Sequence, residues 1–310
     1  MSTEEMSTSS IEARPVLIDT RMPFSPEADG NGLKKGLINP LGLNARPYLA
    51  ALRREVLGAA PDYTDRQVVA ISLTAGVATH VADDMLTQLL RDMRHAFLLA
   101  DDAEVSLRIR PGMVSAASVD TLRIGHVSRV VVDYATSSPK EWRALGRALG
   151  PDAMDVTRMV LGPRCGDGLG ARVAGREVDL AFELVVGIPG QTPASARASV
   201  GAALAYGAGE VRLLTYGDSP SEKAVSCQLA MSESLQDAGF AEYAPHRWAL
   251  TGHESRFVQQ NGSGQTDILG FDLGARTLFD GVKARNTSDL ATYLRFSDDP
   301  EKCIVEVHHA

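Results

Sequence analysis

Asp19 and Arg21 stand two residues apart in a segment that opens Val16-Leu17-Ile18. In a strand that spacing puts both side chains on one face. If the face turns into a barrel, a lone charge there is costly, and an opposite pair at the mouth points to ligand binding or proton transfer. A surface pair at a strand end accounts for them equally well. Glu104-Val105-Ser106-Leu107-Arg108-Ile109-Arg110 repeats the pattern, with Ser106, Arg108 and Arg110 on one face. Two guanidiniums at the carboxyl end of a strand can grip a carboxylate or phosphate through paired bonds, whereas on an exposed edge strand they only carry charge. A third stretch is Glu183-Leu184-Val185-Val186-Gly187-Ile188-Pro189-Gly190-Gln191-Thr192. Gly187 and Gly190 permit a tight turn or a close approach to a ligand. Gln191 offers an amide to a polar group, and Thr192 a cap for a helix with Pro193 at its first position. A plain strand-to-helix turn is the simpler account.

Other chemistries find no support. Cys165, Cys227 and Cys303 are far apart and odd in number, which suits neither a metal cluster nor a disulfide framework. His80 and His95 stand without partners at ligand spacing. The Gly-rich stretch from Gly162 to Arg176 lacks the Lys-Ser/Thr pair and the preceding strand of a phosphate loop.

The elements that must position these residues alternate. Strands are expected at Val16–Met22, Val68–Leu73, Glu104–Arg110, Arg129–Tyr134, Glu183–Val186 and Glu210–Tyr216. Helices are expected at Pro47–Leu57, Asp83–Ala100, Ser118–Leu122, Pro139–Leu149 and Pro193–Tyr206. Their continuous apolar runs suit strands buried on both faces, and strand–helix alternation indicates parallel βαβ units. About six units fit, fewer than a full eight-fold barrel. The expected fold is therefore α/β, a partial (β/α)6 TIM-like barrel with a C-terminal α+β extension. Residues 1–15 read as a mobile tail, 16–220 as the barrel and 221–310 as the extension. In the extension Ser221–Ala238 reads as a helix, and a final helix ends near Arg295 with Thr287 or Ser288 as its cap.

Composition is ordinary for a globular chain of 310 residues: 44% hydrophobic and 23% charged, with net charge −8. The acidic balance argues against an extended nucleic-acid groove. No signal peptide is expected, and no apolar run in the sequence is long enough to span a bilayer. The expectation is a cytoplasmic protein with no nucleic-acid and no membrane partner.

Four matches, the last of them made of three segments, carry in order a resemblance to a known family. Met22-Pro23-Phe24-Ser25 is similar to Ile-Pro-Phe-Cys, and Ala144-Leu145-Gly146-Arg147 to Leu-Gly-Arg. Glu183 to Thr192 is similar to Asp-Leu-Ile-Tyr-Gly-Leu-Pro-Gly-Gln-Thr. Gly252 to Arg256, Leu269 to Ala275 and Arg285 to Leu294 resemble the segments that follow the barrel. The chain thus resembles, from about Val16 to Arg295, the oxygen-independent coproporphyrinogen III oxidase-like (HemN-like) branch of the radical S-adenosylmethionine (SAM) superfamily. The resemblance implies a radical SAM-type partial barrel.

The departures from that family shape the functional expectation. Its three cluster thiolates fall at Ser25, Asp29 and Gly32, so no iron–sulfur cluster is expected. Its SAM-contacting glycine segment reads Thr74-Ala75-Gly76-Val77-Ala78. Its ribose-side Glu falls at Arg108 and its Gln near SAM at Ala135. Arg147 is kept and Glu183 replaces an Asp, so whether SAM binding survives is left open. Asp19, Arg21 and Arg276 stand where the family has other residues.

If these groups meet at one mouth, Arg21, Arg108, Arg147 and Arg276, with Gly187 and Gln191, form a ligand site. Asp19, Asp133 and Glu183 are then the general acid–base candidates, by position at the barrel mouth. The leading expectation is a cluster-less, repurposed enzyme doing non-radical chemistry on a small anionic metabolite in specialised metabolism. The alternative is a non-catalytic pseudoenzyme or accessory subunit beside a protein partner, holding SAM or a porphyrin-like ligand.

Overall fold

The computed structural model describes residues 13–20, 45–74, 83–147, 150–162, 168–173, 175–217 and 221–309. The elements follow in order: β1 (Arg14–Thr20), α1 (Ala45–Ala59), a 3-10 turn (Ala60–Tyr63), β2 (Arg66–Leu73), α2 (Asp83–Ala96), β3 (Leu98–Ile109), α3 (Ala116–Ile124) and β4 (Arg129–Ala135). Next come α4 (Pro139–Ala144), α5 (Ala153–Leu161), β5 (Ala171–Val173), β6 (Arg176–Val186), α6 (Pro193–Ala205), β7 (Glu210–Thr215) and α7 (Glu222–Asp237). The chain ends with β8 (Ala241–Ala244), β9 (Arg247–Ala249), α8 (Arg256–Ser263), β10 (Asp267–Phe271), β11 (Arg276–Phe279), β12 (Val282–Asn286), α9 (Leu290–Phe296), α10 (Pro300–Cys303) and β13 (Ile304–His309).

The strands form one sheet in the order β13-β12-β11-β10-β1-β2-β3-β4-β6-β7-β9-β8, with β5 paired to β6. From β1 to β7 the pairs on this path are all parallel. These are the six strands of the expected partial barrel, and β10 adds a seventh parallel strand beside β1. The Gly-rich stretch before the barrel's fifth parallel strand holds the short β5, which folds back antiparallel on β6. The extension flanks the barrel on both sides, as a β8–β9 hairpin against β7 and as β10 to β13 beyond β1.

Alternation divides each parallel strand into two faces. Val130, Val132 and Tyr134 of β4, Leu180, Phe182 and Leu184 of β6, and Val211 and Leu213 of β7 belong to the main apolar core. Tyr134 makes edge-on ring contacts with Phe182 at 5.7 Å and Tyr206 at 6.0 Å between centroids. Each such fully buried side chain contributes roughly 1.5–3 kcal/mol through area alone. The opposite face carries Arg129, Val131 and Asp133 on β4, Ala181 and Glu183 on β6, and Glu210 and Arg212 on β7. Strands buried on both faces in a parallel sheet are normally apolar throughout. Here the inner face is charged, and its charges are paired.

Helix boundaries follow local chemistry. α6 opens as expected: the Thr192 hydroxyl accepts from Ser195 N at 3.2 Å, the Ser195 hydroxyl caps Thr192 in return, and Pro193 leads the first turn. α7 starts after Ser221, whose hydroxyl accepts from Ala224 N. α3 is longer than the expected Ser118–Leu122, because a reciprocal Ser115–Ser118 cap starts it at Ala116. α2 stops at Ala96, short of the expected Ala100, because Leu98 and Leu99 already pair with Gln67 and Val68 of β2. The cap of α9 is Asp289 rather than Thr287 or Ser288. Its carboxylate accepts from Thr292 N at 2.7 Å, while the Thr287 hydroxyl serves Asp289 N. Among the described residues no helix is long and apolar enough to cross a membrane.

Candidate functional site

Strand register builds the first half of the site. Asp133 of β4 lies beside Glu183 of β6, which lies beside Arg212 of β7. Arg108, next to last in β3, pairs with Val131 across the β3–β4 ladder. The Asp133 carboxylate, fully buried, receives three guanidiniums. Arg110 donates to Oδ2 through Nε at 3.0 Å and Nη2 at 2.9 Å, Arg147 donates to Oδ1 at 2.7 Å, and Arg108 lies 3.3 Å from Oδ1. Arg108 Nε also lies 2.6 Å from Glu183 Oε2, and Arg212 donates to Glu183 Oε1 at 3.2 Å. Burial pushes the Asp133 carboxyl up, but Arg108, Arg147 and Arg110 together outweigh it and hold the group well below the usual carboxylate range. Asp133 is therefore a fixed anion at neutral pH. Burial, with Arg247 and Arg108 nearby, lowers the Arg212 guanidinium against the opposing pull of Glu183.

Local backbone supports this cluster. Arg147 donates to the Asp133 carbonyl at 3.0 Å, and its guanidinium lies 5.1 Å from the Trp142 ring centre. β4 ends at Ala135 in the left-handed region, φ 65°, where the register with β6 slips. A non-glycine residue held there costs roughly 1–3 kcal/mol, a strain that tends to sit at sites.

Below this cluster, toward the amino ends of the strands, lies its inverse. Arg129, the first residue of β4, donates to Glu104 at 3.1 Å, Glu210 at 3.0 Å and Asp179 at 3.3 Å. It also reaches the carbonyls of His253 and Glu254, at 3.0 and 3.1 Å. Glu210 further accepts from Tyr243 and Arg247, each at 2.7 Å. Glu104 accepts from Ser106, Ser255 and Arg256 N. Burial would raise the Glu104 carboxyl, but Arg129 and these bonds lower it instead. The loop leading to α8 is thus fastened onto the foot of the barrel.

Between the two clusters lies a cleft of about 200 Å³. Asp19, Ser72, Thr74, Ser106, Val131 and Glu183 form its strand walls. Arg129, Glu210, Arg247 and Ser255 form its foot, and Phe257, Val258 and Asn261 of α8 close one side. Its surface suits a small, polar, charged molecule.

The residues singled out from sequence distribute as follows. Arg108, Asp133, Arg147 and Glu183 converge, and Asp19 faces the same cleft as Glu183. Arg21, Ser25, Asp29 and Gly32 lie outside the described residues. Gln191 does not face the cleft: it is buried, accepts from Gly187 N at 2.6 Å and donates to Val185 O at 2.9 Å. Its amide stitches its own turn and is not offered to a ligand. Gly187 is needed by that turn, at φ 85°, and a Cβ there would meet the Ala224 Cβ at 2.9 Å. Arg276 is exposed on β11, paired with Arg285 across the ladder and not part of the cleft lining, because the β10–β11 turn carries the chain beyond the barrel edge. Sequence reasoning passed over Arg129, Glu210, Arg212 and Arg247. The available signal was charge at alternate positions of apolar strands, as in Arg129-x-Val131-x-Asp133 and Glu210-x-Arg212.

No family model matches the chain. Oxygen-independent coproporphyrinogen III oxidase of Bradyrhizobium diazoefficiens is 26% identical over 259 residues, covering 74% of this chain and 54% of that protein. Heme chaperone HemW of Mycobacterium tuberculosis is 24% identical over 232 residues, covering 69% and 57%. Among solved structures, coproporphyrinogen III oxidase (HemN) of Escherichia coli, a radical SAM enzyme, superposes with a TM-score of 0.80 at 18% identity, over 97% of this chain and 73% of that one. The chain has the HemN-like radical SAM fold. It spans little more than half the length of the two curated relatives. At these identities the fold carries over to the HemN-like chain, while activity and substrate must be argued from its own residues.

Proposed function

We propose that this HemN-like chain does not carry out radical chemistry and instead binds a small anionic metabolite in the cleft between its two charge clusters. One observation carries the reading. Asp133 is held by three guanidiniums and Glu183 by two, an arrangement suited to fixing charge rather than exchanging protons. Arg212 is not itself in the cleft lining but pairs with Glu183 of the cleft wall, keeps 40% of its side chain exposed and is the most open cation of the upper cluster. That exposure leaves its guanidinium open to a charge-assisted bond with an anionic group that reaches past Glu183. Pockets for drug-sized ligands run to roughly 300–1,000 Å³, so a cleft of about 200 Å³ favours a metabolite over an enclosed tetrapyrrole.

The residues do not fit the cofactor the fold family implies. A [4Fe–4S] cluster of this kind needs three thiolates, and the chain has three cysteines in all. Cys227 is buried on α7, next to β7 in sequence, and Cys303 is buried where α10 leads into β13, near the other end of the strand order. A second reading, non-radical catalysis, is favoured by Asp19, a carboxylate on the cleft wall that faces the same space as Glu183.

Anaerobic reconstitution with iron and sulfide is expected to give no stoichiometric cluster and no 5′-deoxyadenosine from SAM. A stoichiometric cluster would overturn the proposal. Calorimetry against dicarboxylates, sugar phosphates and SAM is expected to find binding that Arg212→Gln weakens about tenfold, the scale of one lost charged bond, with the melting temperature unchanged. Turnover of a bound compound that Asp19→Asn abolishes would favour the catalytic reading.

A further inference from the structure

β13 heads the strand order, and among the described strands it pairs with β12 alone. Its other edge therefore offers a row of backbone donors and acceptors. Proteins usually blunt such an edge with Lys, Pro or an outward bulge. Ile304-Val305-Glu306-Val307-His308-His309 has no Lys or Pro. Its one irregularity is at Val305, which the register with β12 skips between Glu306 and Ile304, so the regular stretch runs from Glu306 to His309. Val305 and Val307 are each 56% exposed.

We infer that a second copy of this chain pairs with the edge, strand antiparallel to strand, about a two-fold axis through Val307. A two-fold perpendicular to the sheet keeps every side chain on its own face, so the axis must pass through a residue. An axis at Glu306 sets Glu306 against its own copy, and one at His308 sets His308 against its own copy. Like groups directly opposite are unfavourable when charged. An axis at Val305 sets Glu306 against Ile304. Of these axes, the one at Val307 gives Glu306 a polar partner other than itself, placing each Glu306 opposite the His308 of the second copy.

The neighbouring strand supports the same register. Lys283 lies beside His308 and Arg285 beside Glu306, with Arg285 Nη1 3.2 Å from Glu306 Oε1. Across the pair the row becomes Lys283, His308, Glu306 of the second copy and its Arg285, an acid between an imidazole and a guanidinium. On the other face Ala284 lies beside Val307. Pairing extends this into Ala284-Val307-Val307-Ala284, which covers the exposed Val307 of each copy and joins two sheets into one.

Sedimentation velocity on the full chain is expected to show a monomer–dimer equilibrium that shifts with concentration. Val307→Lys should weaken dimerisation at least about tenfold, with an unchanged melting temperature. Under mild oxidation Val307→Cys should form a disulfide-linked dimer far faster than Val305→Cys or the wild type, because only position 307 faces itself. A strict monomer at every concentration would overturn the inference. So would a dimer indifferent to Val307→Lys, or equal cross-linking at positions 305 and 307.

Discussion

Asp133 and Arg129 lie four residues apart on one face of β4, both buried, and are wired in opposite senses. Around Arg129 a single guanidinium serves three carboxylates and two carbonyls. Around Asp133 a single carboxylate serves three guanidiniums. Each guanidinium has five N–H donors and no acceptor. One arginine can therefore saturate itself on several acids and close a network. Three arginines on one acid bring more donors than its oxygens can take, so the upper network must extend outward, as it does through Arg108 to Glu183 and on to Arg212. The lower cluster fastens the extension to the barrel. Both border the cleft, the lower one at its foot and the upper one through Glu183, but only the upper one also holds a half-exposed cation, and the proposed binding is placed there.

The hardest test of this contrast removes the closed hub. Arg129→Leu leaves Glu104, Asp179 and Glu210 without their shared cation, and the carbonyls of His253 and Glu254 without a donor. Breaking one side of a buried ion pair costs about 3–5 kcal/mol, and three acids at once argue for the upper end. A urea unfolding series should show a loss of about 5 kcal/mol, or no folded protein at all. A loss under about 1 kcal/mol would mean that the hub behaves like a surface pair.

Asp133→Asn should cost less, about 3 kcal/mol at neutral pH, since an amide keeps one acceptor oxygen and Glu183 retains Arg108. It should also change the acid limb. Folded Asp133 sits well below the usual range, its burial outweighed by the arginines. As pH falls below about 3.9, the unfolded chain takes up a proton that the folded carboxylate refuses. The stability due to Asp133 is thus present above that pH and is lost as pH falls through the folded value. Melting curves between neutral and acid pH should show a steeper loss for wild type than for Asp133→Asn. Parallel curves would remove Asp133 from the account of acid stability.

These clusters also mark what a single sequence reveals. The parallel strands, the cap at Thr192 and the shared face of Arg108 and Arg110 follow from local period and residue type, and the structure keeps them. The meeting of Arg108, Asp133 and Glu183 followed from placing each near a strand's carboxyl end. The Arg129 hub could not be read, because Glu104, Asp179, Glu210 and His253 come from four distant segments and none has a distinctive neighbour in the chain. Gln191 was misjudged because a turn's own open donors and acceptors are invisible until the turn is built. Arg276 shows the limit of resemblance: a segment can match while its strand lies beyond the parallel strands, between β10 and β12.

The finest test uses a third enclosed acid, one that the structure gives no arginine. Glu55 of α1 accepts from Tyr293 at 2.6 Å, Asn286 at 2.5 Å and Asp272 N at 2.9 Å, and makes no ion pair among the described residues. Burial raises its carboxyl to about 7 despite the bonds from Tyr293, Asn286 and Asp272 N. An unfolded Glu titrates near 4.3. Below that pH both states hold the proton and Glu55 is neutral in its effect. As pH rises from about 4.3 to 7, the unfolded chain releases the proton and the folded one retains it, so stability falls through this window and levels off above it. Glu55→Gln has no proton to lose. Relative to wild type it should therefore gain about 1–2 kcal/mol between pH 5 and pH 8, less than the full shift implies because the side chain keeps partial exposure. The change in its advantage with pH is the decisive readout, since the amide also alters the bonds to Tyr293 and Asn286 by an amount that pH leaves alone. A constant difference between the two proteins across that range would show that Glu55 is charged in the fold. The contrast between arginine-fed and arginine-free acids would then fail at its most sensitive point.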